Sequence, residues 1–174
     1  MQLLIWTIVA TVLLFGFVVF FGSPYVRTLR SDRKRVFDEL YKLTPSDHVV
    51  DLGSGDGVML REISARGAKA FGIELNPALV LIARFLSRGD TRVKTVFGNL
   101  RTTTFPDDTT LVYAFVNTAH TEAISRIIQR ESDRIGRELY VVSYGAAIPA
   151  LKVEKKKGAY TLYRTTLRPV PLTV

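Results

Sequence analysis

The hydrophobic and polar positions of the chain alternate between two periods after residue 24. Short apolar runs typical of buried strands are predicted at 48–52, 69–74, 92–97, 110–116 and 139–143. Apolar residues at helical spacing predict helices at 31–43, 58–66, 77–89 and 124–135. Two final runs, 151–155 and 160–167, flank a Lys-Lys-Gly turn and predict a C-terminal antiparallel hairpin. Strands that alternate with helices of this length predict an α/β fold with a doubly wound, mainly parallel sheet.

Residues with known preferences for helix ends support these limits. Ser31 and Asn76 suit the N-cap position, and Pro77 suits the first turn that follows. Gly67 and Gly136 come directly after periodic segments, where a glycine commonly ends a helix. We therefore expect the helices to begin and end close to these residues.

A long apolar segment precedes this alternation. Residues 3–21 carry no charged side chain. As a helix that rises about 1.5 Å per residue, they would span about 28 Å, close to the hydrocarbon thickness of a bilayer. A cleaved signal peptide fits less well because no basic residue precedes the run and no small-residue cleavage site follows it. A buried core helix should show a polar face. We therefore expect one transmembrane helix.

The positive charge is concentrated directly after this segment. The chain of 174 residues has a formal net charge of +8, and residues 27–35 hold five basic residues and one acidic residue. A basic chain alone would suggest a nucleic acid, but a cluster beside an apolar helix favours a membrane surface. The positive-inside rule then places the rest of the chain on the cytoplasmic side or its equivalent. We expect a transmembrane anchor at 1–22, a basic juxtamembrane segment with the first amphipathic helix at 23–44, and a folded domain at 45–174.

The composition also limits the chemistry. The chain has no cysteine and two histidines. Disulfide bonds, thiolate metal sites and cysteine nucleophiles are therefore excluded, and a histidine-rich metal centre is not expected. We expect a site without a metal.

A glycine-rich turn follows the first predicted strand, with the sequence Asp51-Leu52-Gly53-Ser54-Gly55-Asp56-Gly57. Glycines at alternate positions let the backbone turn sharply and approach a ligand closely. The spacing differs from the Gly-x-Gly-x-x-Gly of dinucleotide folds, which needs its third glycine one position later. An acidic residue at the start of the turn suits an amino group, and the helix N-terminus that follows favours a carboxylate. This combination favours S-adenosylmethionine, whose amino-acid end carries both groups.

Polar residues also follow the next two predicted strands. Glu74 ends the second strand, where an acidic side chain accepts hydrogen bonds from ribose hydroxyls in doubly wound folds. Asn99 follows the third strand, where a polar side chain can reach an adenine edge. Because parallel strands end at one edge of the sheet, we expect these residues to face a common cleft with the glycine turn.

Three parts of this sequence carry a more specific resemblance. Residues 49–57, residues 71–80 and the pair Ala83-Arg84 resemble the class I methyltransferases. More closely, the chain is similar to the small membrane-anchored lysine methyltransferases of the ATP synthase c-subunit and the adenine nucleotide translocase, with their prokaryotic relatives. That family also begins with an apolar helix followed by Pro-Tyr-Val, as in residues 24–26, and its fifth strand is similar to residues 140–143.

The resemblance implies a Rossmann-like methyltransferase sheet over 45–174 with S-adenosylmethionine as cofactor. The glycine turn would hold the methionine moiety, the glutamate the ribose and the asparagine the adenine. The family often has aspartate where this chain has asparagine. The predicted cofactor-binding residues are Asp51, Gly53, Ser54, Gly55, Asp56, Glu74 and Asn99.

The acceptor pocket is less clearly marked. Methyl transfer from a sulfonium is an in-line displacement, so the enzyme positions the acceptor and excludes water without a covalent residue. Candidates to line the pocket, with plain packing as the alternative, are Tyr25, Thr28, Phe115, Asn117 and Tyr144. His120 is a candidate proton acceptor, with an exposed or capping role as the alternative. No Asn-Pro-Pro-Tyr-type sequence follows the fourth strand, so no nucleic-acid partner is expected.

These patterns together predict an S-adenosylmethionine-dependent N-methyltransferase that is tethered to a membrane. The resemblance implies a lysine of a membrane protein as the acceptor. Two alternatives stay open: a lipid or quinone acceptor, and a cofactor-binding module without turnover. The sequence leaves the oligomeric state open.

Overall fold

A computed structural model of the chain describes residues 1–10 and 36–168. Residues 2–10 are helical, and every one of them is exposed. Within these two ranges, no helix combines the length and the hydropathy needed to cross a bilayer. Most of the expected anchor at 1–22, the basic cluster at 27–35 and the pocket candidates Tyr25 and Thr28 lie outside the described residues.

The folded part is built on one sheet of seven strands. The strands are β1 (His48–Leu52), β2 (Lys69–Glu74), β3 (Val93–Phe97), β4 (Leu111–Val116), β5 (Tyr140–Gly145), β6 (Lys152–Lys157) and β7 (Tyr160–Arg164). Their order is β3-β2-β1-β4-β5-β7-β6, in which β1 to β5 pair in parallel and β7 is antiparallel to both of its neighbours. The predicted doubly wound sheet and its closing hairpin are confirmed. The direction of winding changes between β1 and β4, where ligands bind in such folds.

Helices cover both faces of the sheet. They are α1 (Val58–Ser64), α2 (Pro77–Leu86) and α3 (Thr121–Ile135), with a π-helical turn at Val36–Leu40 and a 3₁₀ turn at Thr118–His120. Side chains of α1 and of the π-helical turn share one apolar cluster with Val49 and Tyr113. Side chains of α3 share the other cluster with Val50 and Val112. Adjacent residues of β1 and β4 therefore pack on opposite faces, as the two-residue period of a strand requires.

The ends of the first two strands and of two helices agree closely with the sequence. β1 and β2 have their predicted limits. Asn76 caps α2 because its Oδ1 accepts hydrogen bonds from Ala78 N at 2.9 Å and Leu79 N at 3.4 Å. Gly136 ends α3 with a φ of 71°. These agreements arise from local chemistry that acts within a few residues.

Other limits differ from the prediction. The helix expected at 31–43 is reduced, among its described residues, to the turn Val36–Leu40. The chain leaves it because Asp47 gathers hydrogen bonds from Tyr41 Oη, Thr44 N and Thr44 Oγ1, which fold residues 41–47 into a turn. α2 ends three residues before the expected Gly89, and β5 continues two residues beyond 143.

The hairpin turn is also displaced. Lys156 and Lys157 belong to β6, and Gly158-Ala159 makes the turn instead. The lysines are exposed, but two of them reach the π-helical turn. Lys155 Nζ donates a hydrogen bond to Glu39 O at 2.6 Å, and Lys157 forms an ion pair with the Glu39 carboxylate. These two lysines therefore join β6 to the segment before β1.

A buried carboxylate fixes α3 to the loop after β3. Glu131 is almost fully buried, and it accepts hydrogen bonds from Phe105 N, Arg134 Nε and Arg130 Nε. Burial opposes the charged form, but these three hydrogen bonds outweigh it and lower the pKa of Glu131. Arg134 also donates to Phe105 O at 2.6 Å. The hydrogen bonds of Glu131 and Arg134 therefore attach the loop that leads to β4 to α3.

Candidate active site

The carboxyl ends of the parallel strands form one row of side chains. Leu52 of β1 is level with Ile73 of β2 and Ala114 of β4. The next residues, Gly53, Glu74 and Phe115, therefore lie side by side at this edge of the sheet. The row continues beyond Phe115 to Tyr144 of β5 and Tyr160 of β7, which are paired in register. The glycine turn thus has a carboxylate on one side and three aromatic rings on the other.

The glycine turn depends on backbone conformations that other residues rarely adopt. Gly53, Gly55 and Gly57 have φ values of 82°, 55° and 74°. A Cβ added to Gly53 would meet no atom within 4 Å, so the space in front of this residue is open. A Cβ added to Gly57 would lie 3.1 Å from Ala83 Cβ, because α2 packs closely against the turn. The missing side chain of Gly53 therefore leaves room for a ligand at the turn, whereas that of Gly57 allows α2 to pack against it.

Glu74 holds the turn in place. Its Oε2 accepts a hydrogen bond from Gly55 N at 2.9 Å, and its Oε1 accepts one from Asn76 N at 2.8 Å. Gly53 N and Ser54 N both donate to Ile73 O. The carboxylate keeps further lone pairs for hydroxyl donors. The predicted contact of Glu74 with a ribose stays a prediction, and the structure adds a positioning role that the sequence did not suggest.

Asp51, in the last part of β1, is a buried carboxyl group close to a second carboxylate. Its side chain is only 4% exposed. Burial, and then the negative charge of Glu74, raise the pKa of Asp51 to about 8. No basic side chain of residues 1–10 or 36–168 forms an ion pair with it. Two neighbouring carboxyl groups without a basic partner favour a ligand that brings a positive charge, such as the ammonium of an amino acid. The donors present therefore fit the amino-acid end of S-adenosylmethionine.

The side chains of the other three predicted cofactor residues, Ser54, Asp56 and Asn99, lie in three different environments. Ser54 is buried beneath the turn, where a Cβ added to Gly72 would lie 2.5 Å from its Oγ. Asp56 Oδ1 accepts a hydrogen bond from Val58 N at 3.0 Å, at the start of α1. Asn99 is exposed, and its Oδ1 accepts a hydrogen bond from Arg101 N at 2.9 Å. Asp51, Gly53, Gly55 and Glu74 are therefore brought together, whereas the Ser54 side chain is buried and the Asp56 side chain bonds to the start of α1. Contact of Ser54 or Asp56 with the cofactor stays a prediction.

Three aromatic side chains form the other half of the edge, and we call Phe115, Tyr144 and Tyr160 the aromatic trio. Phe115 and Tyr144 stack with centroids 5.6 Å apart and an interplanar angle of 29°. Tyr144 and Tyr160 meet at 4.8 Å with an angle of 56°. Phe115 is 42% exposed although it lies near the end of a buried strand. The sequence marked the first two rings, but Tyr160 was missed because only the pairing of β5 with β7 brings it here.

The remaining acceptor candidates lie on the surface beyond β4. Asn117 and His120 are both exposed, and Asn117 Oδ1 lies 2.6 Å from His120 Nδ1. His120 occupies the N-cap position of α3, as the sequence suggested. The pair is therefore available at the carboxyl edge, and its part in proton transfer stays a prediction.

A groove that the sequence did not predict lies between α3 and the loop after β3. It has a volume of about 290 Å³ and is lined by Arg101, Ala123, Arg126, Ile127 and Arg130. Arg130 donates a hydrogen bond to Arg101 O at 2.6 Å, which joins the loop to the helix. Three guanidinium groups around two apolar side chains form a cationic groove next to Asn99.

Comparison with known proteins supports one class of enzyme. Residues 49–133 match the family model described as a methyltransferase domain. Among solved structures, an RNA methyltransferase from Salinibacter ruber in complex with S-adenosyl-L-homocysteine is 26% identical, covers 84% of this chain and 97% of its own, and has a TM-score of 0.67. No curated protein sequence matches the chain.

Two more distant structures share the fold. The 23S rRNA methyltransferase ErmE is 16% identical, with 86% of this chain and 72% of its own covered and a TM-score of 0.60. A SAM-dependent methyltransferase from Aquifex aeolicus is 15% identical, with coverages of 76% and 89% and a TM-score of 0.57. The matched domain and the Salinibacter ruber structure support an S-adenosylmethionine-dependent methyltransferase, and the two more distant structures share its fold. S-adenosylmethionine is its cofactor.

Proposed function

We propose that the protein is an N-methyltransferase that modifies a lysine of a membrane protein while its own N-terminal apolar segment tethers it to the same bilayer. The aromatic trio is the observation that carries the proposal. It stands beside the glycine turn at the carboxyl edge of β4 and β5, where the acceptor would enter. Its exposed ring, Phe115, offers an electron-rich face to a positively charged group.

The rings can bind both the lysine substrate and its methylated product. A lysine side chain arrives as an ammonium group with an ordinary pKa of about 10.4, which aromatic faces bind. Transfer requires the neutral amine, and desolvation beside a cationic cofactor lowers that pKa. The methylated product is again a cation that the same rings can hold. The chain therefore needs to bind, desolvate and orient the amine, and no side chain has to form a covalent bond with it.

The other half of the edge would hold the cofactor. S-adenosylmethionine supplies the electrophilic methyl group when it is bound. Asp51 would attract the ammonium of its methionine part, Glu74 would keep the glycine turn in shape and accept from the ribose, and Asn99 would face the adenine. Because Phe115 lies next to Gly53 on the side away from Glu74, the cofactor site and the aromatic trio would adjoin.

The tether would act through concentration. A domain and a target held in one membrane meet far more often than two molecules in solution, without any additional contact. Residues 3–21 are the segment proposed to provide this tether. A weak intrinsic affinity for the target would then be sufficient.

A nucleobase of RNA is a second candidate acceptor. The Salinibacter ruber enzyme is an RNA methyltransferase that is aligned over 97% of its length. The groove with three arginines would bind phosphates, and exposed rings stack on unpaired bases. A lipid or quinone is the third possibility, because a tethered domain would reach such acceptors as easily as a protein.

A single experiment separates these acceptors. The full chain is incubated with S-adenosylmethionine labelled at its methyl group and with total membranes, delipidated membrane protein, lipid extract or total RNA. We expect label in protein, at lysine after digestion and mass spectrometry. Label in RNA or lipid would replace the proposed acceptor, and cofactor binding without transfer to any fraction would indicate a module without turnover. Gly53→Val is the matched inactive control.

A further inference from the structure

Helix α2 has almost no polar side. Its ten residues, Pro77–Leu86, contain one charged side chain, Arg84. A helix that is apolar on all sides is normally buried. Here only Val80 and Ala83 are buried, on the side that faces the sheet and the glycine turn. The opposite side of α2 is apolar and uncovered by the described residues.

The exposed side chains form one continuous surface. Leu81 is 66% exposed and Phe85 is 64% exposed, and Ile82 and Leu86 flank them. At about 100° per residue, Leu81, Ile82 and Phe85 point away from Val80 and Ala83. α3 shows the usual pattern on the other face of the sheet, because it exposes Glu122 and Arg126 instead.

One exposed residue of the edge strand β3 lies on the same face of the sheet as α2. A Cβ added to Gly72 would meet Leu60 of α1, which defines the helix side of the sheet there. Thr95 pairs with Gly72, and Phe97 lies two residues further on the same face. Phe97 is 58% exposed. We call Leu81, Ile82, Phe85, Leu86 and Phe97 the α2 surface.

Arginines border the α2 surface towards its C-terminal end. Residues 84–92 hold three arginines and one acidic residue, whereas Lys94 lies over the Phe71 ring on the other face of the sheet. Arg88 lies over the Phe85 ring at 4.2 Å from its centroid. The acidic residue, Asp90, is engaged by Ser64 Oγ and by Arg92 N. A large apolar patch with a cationic rim is the pattern of proteins that rest on anionic membranes.

We propose that the α2 surface docks on an anionic phospholipid bilayer. The apolar side chains would enter the boundary between headgroups and acyl chains, and the arginines would contact lipid phosphates. A second copy of the chain fits less well because two cationic rims would face each other. The apolar and basic segments that precede the folded domain in the sequence also favour a membrane. Val36, where the described domain begins, is buried in the apolar cluster on the same face of the sheet, directly after the apolar and basic segments.

The proposed contact is separate from the tether and independent of the acceptor. α2 begins three residues after Glu74, so a domain that rests on this surface would keep its candidate active site close to the membrane. A tether alone would not fix the orientation of the domain. The α2 surface would give it one orientation.

The absence of cysteine makes the contact measurable in the full chain. Single variants Leu81→Cys and Phe85→Cys carry an environment-sensitive fluorophore, and Arg126→Cys on α3 is the matched control, because Arg126 is 79% exposed. The labelled chains are reconstituted in phosphatidylcholine vesicles with or without phosphatidylglycerol. Aqueous iodide reports exposure, and brominated acyl chains report contact with the bilayer interior.

We expect several-fold protection from iodide and strong quenching by brominated lipid at 81 and 85, in anionic vesicles and not at 126. Equal exposure of 85 and 126 to iodide would overturn the proposal. Protection without bromine quenching would also overturn it, because protein would then cover the surface. Equal quenching in neutral vesicles would exclude a role for the cationic rim.

A charge variant tests the rim directly. Arg88→Glu with Arg92→Glu, made in the Leu81→Cys chain, should remove the quenching by brominated anionic lipid while cofactor binding is unchanged. Both arginines are exposed, so the fold should tolerate the change. Unchanged quenching would contradict the proposal. Because cofactor binding and methyl transfer are measured separately, failure of this contact is distinguishable from failure of the proposed activity.

Discussion

The two halves of the carboxyl edge are built by different means. On the side of β1 and β2, backbone N–H groups, positive-φ glycines and two carboxyl groups fix one geometry around an open space. On the side of β4, β5 and β7, the aromatic trio makes ring contacts and leaves Phe115 exposed. A ligand that never changes suits the first half, and an acceptor that varies between enzymes suits the second. Substitutions should therefore separate binding of the cofactor from use of the acceptor.

The largest effect is expected at the glycine turn. Gly53→Val would place a branched side chain in the open space and strain a backbone whose φ is 82°. We expect affinity for S-adenosylmethionine to fall by about a hundredfold or more, equivalent to about 2.8 kcal/mol. Isothermal titration calorimetry measures this change.

Gly89→Val is the matched control for this substitution. Gly89 has a φ of 86° and, like Gly53, no atom within 4 Å of an added Cβ. The two variants should lose similar stability from backbone strain, and only Gly53→Val should lose cofactor binding. Equal loss of binding in both variants would show that strain, and not access to the turn, controls the site.

A pH effect should come from Asp51. Its pKa is about 8 in the folded chain, above the ordinary value of 3.8 that applies when the chain is unfolded, so between these values the folded chain binds an extra proton. Stability without cofactor should therefore decrease as pH rises from about 4 to about 8, by up to about 1.4 kcal/mol for each pH unit. Asp51→Asn should remove this slope. Urea unfolding at several pH values measures it, and an unchanged slope in Asp51→Asn would contradict the assignment.

The same carboxyl group should couple cofactor binding to pH. The charged form of Asp51 is the one that attracts an ammonium group, so affinity for S-adenosylmethionine should increase as pH rises towards 8. Calorimetry in buffers of different ionisation enthalpy should detect a released proton below that pH. Asp51→Asn should bind weakly, with no proton release. Release of the same proton by this variant would assign it to another group.

Substitutions in the aromatic trio should lower methyl transfer and leave cofactor binding unchanged. Tyr144→Leu should lower methyl transfer about tenfold, which corresponds to about 1.4 kcal/mol, because it removes the ring between Phe115 and Tyr160. Cofactor affinity should stay unchanged. Tyr144→Phe should restore most of the transfer, which a requirement for the hydroxyl would not allow. Loss of cofactor binding in Tyr144→Leu would show that the aromatic trio also takes part in cofactor binding.

The smallest effect is expected at Asn99. Its Oδ1 accepts a hydrogen bond from Arg101 N, and an aspartate can accept the same bond. Asn99→Asp should therefore change cofactor affinity by less than about threefold, or about 0.7 kcal/mol. A change of tenfold or more would show that this residue contacts the cofactor more closely than its exposed position suggests.

Local signals in the sequence predicted much of the cofactor half. Strand-like runs, glycine spacing and the Asn76 cap act over a few residues, so β1, β2 and the turn agree with the expectation. The direction of side chains inside an irregular turn has no sequence period, which is why the sequence did not reveal that the Ser54 and Asp56 side chains are buried. The position of Tyr160 depends on the pairing of β5 with β7, and the arginine groove depends on the contact of α3 with the loop after β3, so neither follows from local sequence.

The outer strand β6 has a consequence for how copies of the chain meet at high concentration. An unprotected sheet edge can recruit a strand from a neighbouring molecule and grow into a fibre. All six residues of β6 are exposed, four of them are lysines, and its pairing with β7 is interrupted by an irregularity between Val153 and Lys155. Repulsion between the lysines and the irregular backbone pairing both disfavour such growth at this edge, so copies of the chain should not polymerise through it.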